Sequence, residues 1–350
     1  MVSSPTRPAG RTSSPQPPSA HHEPLHDSLR RNKELRMMNL RSLVLLLLAV
    51  PGFAAAQSFP DHPLRIVVPF AAGGATDVTA RVLAEAMGAQ LSQPVVVENR
   101  PGGGGVVGSE AVARAPADGH TMLVNNNSIA ALRHFTPNSP IDPAQALSPV
   151  TLLIDTPMAM LVANNVPATT GQEFVALVRA HPGRYDYGNT GGGGTLQMAT
   201  LLFLRASGAR MNEIPYRGGA PATLDLLAGR IALLFDTGTT GFQTARGGGA
   251  RALAVTSARR SRFAPDIPTW REIGVDDAFS VWQGVFVSSA TPPAIRETLR
   301  QAIVRALRTE ATQRRFAELG ADNVLGGTLE ESEAVVRAEF ARWNSLLGSR

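Results

Sequence analysis

The stretch RIVVPFAAGGATDVTARVLAEAM, residues 65–87, gives the clearest indication of the fold. Its residues 66–68 are β-branched and apolar, as is typical of a strand that is buried on both faces. Pro69 ends that strand because its nitrogen cannot donate to a neighbouring strand. Small residues fill positions 71–75, and apolar residues then recur at helical spacing. The stretch therefore predicts a buried strand, a glycine turn and a helix.

The turn of this unit is a candidate anion site. We expect Thr76 or Asp77 to cap the helix. The unpaired N–H groups of the first helical turn, together with the positive end of the helix dipole, favour a carboxylate or a phosphate. Taken alone, the stretch is equally compatible with an ordinary strand–helix turn that binds nothing.

The composition is that of a globular protein without a strong charge bias. Hydrophobic residues make up 43% and charged residues 17% of the 350 residues, and this length is enough for two domains with their own cores. Of the 33 Lys+Arg and 28 Asp+Glu residues, 7 and 3 lie in residues 1–56, which leaves 26 and 25 in the remainder. That balance gives no electrostatic argument for binding nucleic acid. The chain has no cysteine, so disulfides and thiolate chemistry are excluded.

The N-terminal region predicts that the protein is exported. Residues 37–56 combine a basic start, the apolar run 43–50 and the small residues 54–56, which together are typical of a cleaved secretory signal peptide. The apolar run is shorter than the roughly 20 residues that a membrane-spanning helix needs; an uncleaved anchor is the alternative interpretation. Residues 1–36 are rich in Pro, Ser, Arg and His, and we interpret them as a disordered upstream extension.

Beyond the signal peptide, strand and helix patterns alternate, which predicts an α/β architecture. Residues 185–204 repeat the design of the opening stretch, with a strand, a glycine-rich loop and an apolar helix. A second candidate anion site therefore follows from the same physical argument.

Two long apolar segments, residues 151–163 and 279–288, are candidates for strands that cross between two lobes. They predict two α/β lobes whose glycine loops face each other across a cleft. The expected limits are 57–156 with 283–350 for the first lobe, and 157–282 for the second.

Motifs for catalysis, cofactors or metals are weak. Gly103, Gly105 and Gly108 match the spacing G-x-G-x-x-G of dinucleotide-binding proteins, but no strand ending in an acidic residue follows at the required distance. The chain has no G-x-S-x-G elbow. None of the histidines after the signal peptide stands in a zinc-binding motif, so a metal site is not expected; they are His62, His120, His134 and His181.

Some charged residues remain as candidates for ligand contacts. Asp236 ends a predicted strand and is a candidate site residue. Asp77 is better explained as a helix cap, and Asp225 as a surface or capping residue. Arg217 could attract an anionic ligand or simply stabilise its own loop. Nothing in this set makes up a catalytic group.

The chain resembles the Bug receptors, the extracytoplasmic solute-binding proteins of tripartite tricarboxylate transporters. The resemblance covers about residues 59–343 and rests on the motifs RIVVPFAAGGATDVTAR, VVVENRPGGGGVVG, ARAPADGHTML, PYRGGAPATLDLLAGRIALLFD, RALAVTSARR, PDIPTWREIGV and WQGVFVSSATPP. It implies a type II periplasmic-binding-protein fold, in which two α/β lobes joined by two crossing strands close on one small organic acid. It also implies a receptor without enzymatic activity or cofactor.

The resemblance further implies that backbone amides and ordered water of the first glycine loop hold the ligand's carboxylate, and that the second loop completes the site. Relatives usually carry a serine in the second loop and a histidine after it, whereas this chain has GNTGGGGT followed by Leu196, Gln197 and Met198. The asparagine-rich residues 125–128 suit a ligand with an amide or hydroxyl beside its carboxylate. The predicted ligand-binding residues are Phe70, Ala71, Ala72, Gly73, Gly74, Asp77, Asn126, Ser128, Thr190, Gly192, Gly193, Thr195, Gly218 and Asp236.

The expected function is capture of a small organic acid or an amino-acid-like ligand in the periplasm and its delivery to the membrane permease subunits of a tripartite tricarboxylate transporter. A ligand sensor that presents its closed form to a membrane signalling protein would use the same site and is the alternative. An exported enzyme is the third interpretation, and the weak catalytic motifs speak against it.

The signal-peptide interpretation predicts that the exported protein begins at or near Gln57, because cleavage is expected after Ala56. Intact-mass analysis of the protein from the periplasmic fraction measures this directly. A product that retains residues 1–36 would contradict both the cleavage site and the upstream extension.

Overall fold

The computed structural model describes residues 59–91 and 93–348. The predicted upstream extension, signal peptide and cleavage site lie outside these residues. No helix in the described part is both long and apolar enough to cross a membrane.

Strands and helices alternate along the described chain. The strands are β1 (Leu64–Val68), β2 (Val95–Asn99), β3 (Thr121–Asn126), β4 (Leu147–Ala163), β5 (Asp186–Asn189), β6 (Asn212–Pro215), β7 (Leu233–Thr237), β8 (Ala250–Val255), β9 (Ser280–Ser288) and β10 (Asn323–Val324). The helices are α1 (Ala75–Gly88), α2 (Val106–Ala113), α3 (Leu132–Phe135), α4 (Pro143–Ala146), α5 (Gly171–Ala180), α6 (Thr195–Ser207), α7 (Gly219–Leu227), α8 (Gly238–Arg246), α9 (Pro293–Leu307), α10 (Glu310–Glu318) and α11 (Leu329–Leu347).

The strands form one curled sheet in the order β2-β1-β3-β9-β4-β7-β5-β6, and β8 and β10 also pair with β4. In the first lobe β1 is parallel to both β2 and β3, whereas β9 is antiparallel to β3. In the second lobe β5 is parallel to both β6 and β7. The predicted α/β architecture of two lobes is thus confirmed.

The 17-residue strand β4 joins the two lobes. Its residues up to Pro157 pair with β9, and its residues from Met158 pair with β7. The chain returns to the first lobe at Phe279, whose N–H donates to the carbonyl of Thr256 at 2.7 Å, and β9 begins at the next residue. Both predicted crossing segments therefore lie where the chain passes between lobes, while the limits of the lobes stay predictions.

Each lobe has its own buried apolar cluster. In the first lobe, α9 and α10 pack against α1, and Leu299 and Phe316 share a cluster with Leu83. In the second lobe, Phe203 lies among the rings of Phe174, Phe235 and Trp270, with ring centroids 5.7–6.3 Å from its own. Trp343 of the last helix belongs to this second cluster.

Local sequence signals place several helix ends. Capping boxes at Thr170 and Thr328 open α5 and α11, as the spacing S/T-x-x-E predicts. The prediction that Thr76 or Asp77 caps α1 is wrong, because the helix begins at Ala75 after the N-cap Gly74. The physical reason is that Asp77 reaches backwards from inside the helix, as described below.

The packing of the aromatic cluster predicts that truncation of the Phe203 side chain strongly destabilises the protein. Phe203→Ala should lower the free energy of unfolding by about 3–5 kcal/mol, because it leaves a cavity among three rings. Leu224→Ala is the control, since Leu224 is 67% exposed and its truncation should change the free energy by about 0.5 kcal/mol or less. Urea unfolding followed by circular dichroism compares them. Equal losses would contradict the packing argument.

Candidate functional site

The carboxyl ends of the parallel strands in the two lobes face one another. In the first lobe, these ends precede the glycine loop 70–74 and residues 126–128, and in the second they precede the glycine loop 190–194. A Cβ atom on Gly104, in the first lobe, would lie 3.2 Å from the carbonyl oxygen of Gly192 in the second. Carboxyl ends of parallel strands are where open α/β sheets bind ligands.

The first glycine loop is folded back onto the helix that follows it. The N–H of Gly73 donates to Oδ2 of Asp77 at 2.8 Å. Gly73 has φ of +82°, a conformation that residues with a Cβ rarely adopt. Gly74 then serves as N-cap of α1 without any side-chain cap. The carboxylate of Asp77, at the third position of the helix, thus accepts a hydrogen bond from the backbone just before the N-cap.

Asp77 is only 2% exposed, and its carboxylate accepts three hydrogen bonds. Besides Gly73, it accepts a hydrogen bond from Arg81 Nε at 2.9 Å and from Asn99 Nδ2 at 2.9 Å. Burial by itself would raise its pKa, but the hydrogen bonds from Arg81, Gly73 and Asn99 together hold the pKa below its usual range. Asn99 also donates to the carbonyl of Phe70 at 3.1 Å, which fixes the other end of the loop.

The second glycine loop repeats this geometry with different chemistry. Gly193 has φ of +78° and its N–H donates to Oε1 of Gln197 at 2.9 Å. Gly194 is the N-cap of α6, again without a side-chain cap. A neutral amide thus occupies the place that a carboxylate has in the first loop. Asn189 supports the loop by accepting a hydrogen bond from the N–H of Gly191.

The N–H groups available to a ligand are therefore not those of Gly73 and Gly193. Within residues 59–91 and 93–348, the N–H groups of Ala75, Thr76, Thr195 and Leu196 have no protein acceptor. They belong to the first turns of α1 and α6, where the helix itself supplies no partner.

Asn126 and Ser128 lie next to the first turn of α1. Asn126 Oδ1 accepts from the N–H of Ser128 at 2.9 Å, and its Nδ2 lies 3.4 Å from Oγ1 of Thr76. These contacts join the carboxyl end of β3 to the helix that follows the first glycine loop. Two of the predicted polar residues thus lie next to the loop, and some of their hydrogen-bonding groups are already engaged with each other and with Thr76.

In the second lobe, Asp236 lies at the carboxyl end of β7. Its Oδ1 accepts from the N–H of Thr237 at 2.8 Å. Burial raises the pKa of Asp236, although hydrogen bonds from Thr240 and Thr237 act in the opposite direction. The register that pairs Gly188 with Leu234 puts Asp236 level with Thr190, and thus beside the second glycine loop.

Gly218 and Arg217 lie at the same edge of the second lobe. Gly218 precedes α7 as its N-cap, and a Cβ at this position would meet no atom within 4 Å. Arg217 is exposed. The N–H of the neighbouring Tyr216 donates to the carbonyl of Asn189 at 2.8 Å, which holds this turn against β5.

A cavity of about 750 Å³ lies elsewhere, between the start of α11, β10 and residues 258–259. None of the predicted site residues lines it. Its lining carries charges of both signs, and one of them, Arg342, is already paired with Asp277 at 2.6 Å. The size of this cavity alone does not make it the ligand site, because it lacks the convergent helix N-termini and strand ends of the glycine loops.

Sequence reasoning missed four residues of this region. Asn99 and Gln197 hold the two loops, Gly104 approaches Gly192, and the ring of Phe135 packs against Gly193. Gln197 had a signal in the sequence, because GGATD and GGTLQ align so that Asp77 and Gln197 occupy the same position. Asn99 had none, since the pairing of β2 with β1 brings it to the loop. Gly104 and Phe135 had none, since only the approach of the two lobes brings them there.

Comparison with known proteins agrees with this geometry. The family described as "Tripartite tricarboxylate transporter family receptor" matches residues 79–350. BugT of Bordetella pertussis is 34% identical over 315 residues, which cover 88% of this chain and 96% of BugT.

Two solved structures are similar along nearly their whole length. The periplasmic binding protein BugD is 32% identical with a TM-score of 0.70, covering 83% of this chain and 98% of BugD. MatC from Rhodopseudomonas palustris, solved with bound malate, is 30% identical with a TM-score of 0.70, covering 83% of this chain and 100% of MatC. The chain therefore belongs to the receptor family of tripartite tricarboxylate transporters, whose members are periplasmic solute-binding receptors and not enzymes.

Proposed function

We propose that this receptor captures a small carboxylate between its two glycine loops and delivers it to the permease subunits of a tripartite tricarboxylate transporter. The observation that carries the proposal is the pair of matching loops at facing strand ends, each held by an acceptor three residues into the following helix. Their free N–H groups are donors for an anion. The proposed binding residues are those predicted from the sequence, with Gln197 added as a positioning residue. Among them Gly73, Gly193 and Asp77 act by shaping the loops, because their hydrogen-bonding groups are already engaged.

The loops suit a receptor because side chains of the protein itself hold them in shape. Asp77 and Gln197 already fix the two positive-φ glycines, so little conformational entropy has to be lost on binding. We further propose that lobe closure, between residues 57–156 with 283–350 on one side and 157–282 on the other, excludes water from the bound anion. Exclusion of water strengthens each hydrogen bond to the charged group.

The ligand class follows from the groups at the second-lobe edge. MatC was solved with malate, a hydroxylated dicarboxylate, and we propose a small organic acid here as well. Asp236 is available as an acceptor for a hydroxyl of such a ligand. An amino-acid-like ligand is the other candidate, because its ammonium group would form an ion pair with Asp236.

Delivery to a permease is proposed on the description of the family, which names a transporter. We also propose that the chain works in the periplasm after cleavage of residues 37–56. A sensor that reports lobe closure to a membrane signalling protein would use the same site. Capture of membrane partners with and without ligand, followed by mass spectrometry, separates the two roles by the class of protein recovered.

Carboxylate recognition predicts that acids stabilise the fold and that their neutral derivatives do not. A ligand present at a hundred times its dissociation constant should add about 2.7 kcal/mol to the free energy of unfolding. A thermal-shift screen of mono- and dicarboxylates against their amides and esters tests this prediction. Equal stabilisation by acids and neutral derivatives would contradict the proposed function.

The variant Asp236→Asn extends the same screen to the ligand class. Removal of the negative charge should strengthen binding of a dicarboxylate, because the repulsion between like charges is lost. It should weaken binding of an amino acid, because the ion pair with the ammonium group is lost. The direction of the change therefore distinguishes the two ligands.

The second loop predicts a specific loss of affinity. Gln197→Leu leaves the N–H of Gly193 without its acceptor, so the loop should lose its fixed conformation and ligand should bind about tenfold more weakly. Arg217→Ala should cost less, because Arg217 is exposed and contributes only long-range attraction. Calorimetry with the strongest acid from the screen gives both values.

Gln301→Leu is the matched control for this pair, since it makes the same change on the exposed face of α9 and should leave affinity unchanged. Circular dichroism verifies that all variants are folded. If Arg217→Ala abolished binding while Gln197→Leu bound normally, the site would rest on a salt bridge and not on the loops.

A further inference from the structure

Asp61, His62 and His120 form a cluster at the end of the first lobe away from the glycine loops. Asp61 and His62 lie just before β1, and His120 lies just before β3. Because β1 and β3 are parallel, both places are at the amino ends of strands. The glycine loops lie at the carboxyl ends, so this cluster is separate from the proposed ligand site.

The ligand atoms of the three side chains converge. His62 Nδ1 lies 2.7 Å and His120 Nε2 lies 3.1 Å from the same oxygen, Oδ1 of Asp61. One ligand atom from each residue lies within 4.8 Å of the other two. Around a tetrahedral zinc ion with bonds of 2.0–2.1 Å, neighbouring ligand atoms are about 3.3 Å apart. The three ligand atoms are therefore already as close together as the ligands of one such ion.

His120 is buried in a way that its protein neighbours do not satisfy. It is 7% exposed, and in the described part of the chain neither of its ring nitrogens has a hydrogen bond of acceptable geometry. Oxygens of Asp61 and Asp118 are near, at 3.1 and 3.5 Å, but neither contact has the geometry of a hydrogen bond. A buried polar group without a partner costs about 1–3 kcal/mol, which favours a further ligand for His120.

Two rings pack against His120, and one of them belongs to the exposed residue His62. The ring of Phe59 packs edge-on against His120 with centroids 4.7 Å apart, and the ring of His62 stacks on it at 3.5 Å. The stacked planes are nearly parallel, at 14°, so the two imidazoles cannot direct their in-plane lone pairs at one ion as they stand. His62 is exposed, and rotation of its side chain removes this obstacle.

We propose that Asp61, His62 and His120 bind one divalent transition-metal ion, with zinc as the best fit. Two imidazole nitrogens and one carboxylate oxygen are typical zinc ligands, and water can take the fourth position. Asp118, near Nδ1 of His120, would orient the ring, as carboxylates commonly do for metal-bound histidines. The ion would fasten residues 59–63 to the loop that precedes β3.

The test uses the full chain, exported and processed by the cell and purified without a histidine tag. After treatment with a chelator, it is titrated with Zn²⁺ by calorimetry, and with Co²⁺ by visible absorption. We expect one ion per chain and the absorption bands of tetrahedral Co²⁺. Mg²⁺ at the same concentration should not bind, because it prefers oxygen ligands in octahedral geometry.

Asp61→Asn and His62→Ala should each weaken Zn²⁺ binding by at least about tenfold. Both residues are exposed, so the variants are expected to fold, which circular dichroism verifies; His120 is left in place because it is buried. His181→Ala is the matched control, since His181 is exposed and lies outside the cluster. The proposal is overturned if the unaltered chain fails to bind one Zn²⁺, if neither cluster variant weakens binding, or if His181→Ala weakens it equally.

Discussion

The hydrogen bond from the backbone N–H of Gly73 to the carboxylate of Asp77 is the interaction on which the first half of the site depends. It turns the chain after β1 back onto the first turn of α1 and requires a glycine at φ of +82°. Asn99 and Arg81 hold the carboxylate in place from β2 and from the next helical turn. The conformation of the loop is therefore held by a buried carboxylate that accepts three hydrogen bonds.

The second loop shows that the backbone geometry and the charge of such a loop are separate properties. Gly193 and Gln197 reproduce the turn with φ of +78° and a hydrogen bond of 2.9 Å. Because Gln197 is neutral, the field of the α6 N-terminus is not opposed by a carboxylate, as it is at α1. The N-termini of α1 and α6 thus combine the same backbone turn with different electrostatic potentials.

Strand β4 joins the two lobes that carry the glycine loops. It belongs to both lobes, and its partner changes from β9 to β7 between Pro157 and Met158. Proline has no N–H to donate to a neighbouring strand, which makes Pro157 a suitable residue at the point of change. The cluster of Asp61, His62 and His120 lies at the opposite end of the first lobe, before β1 and β3, and includes no residue of β4.

The sequence by itself determined the α/β architecture, the two strand–glycine loop–helix units and the positions of the crossing segments, because these depend on local propensity and hydrophobic period. Capping boxes such as that of Thr170 are equally local. It did not determine which N–H groups remain free, since the hydrogen bonds of Gly73 and Gly193 depend on side chains that the first helical turn orients.

Only the tertiary structure decided which distant residues meet. Gly104 approaches Gly192, and His62 meets His120 across 58 positions of sequence, although neither pair stands in a motif. Spacing rules fail for the histidine pair because parallel strands align residues that are separated by a whole crossover connection. They fail for the glycine pair because its two residues lie in different lobes. The residue types of the glycine loops can thus be recognised in the sequence. The contacts between the two lobes, and the meeting of His62 with His120, depend on the tertiary structure.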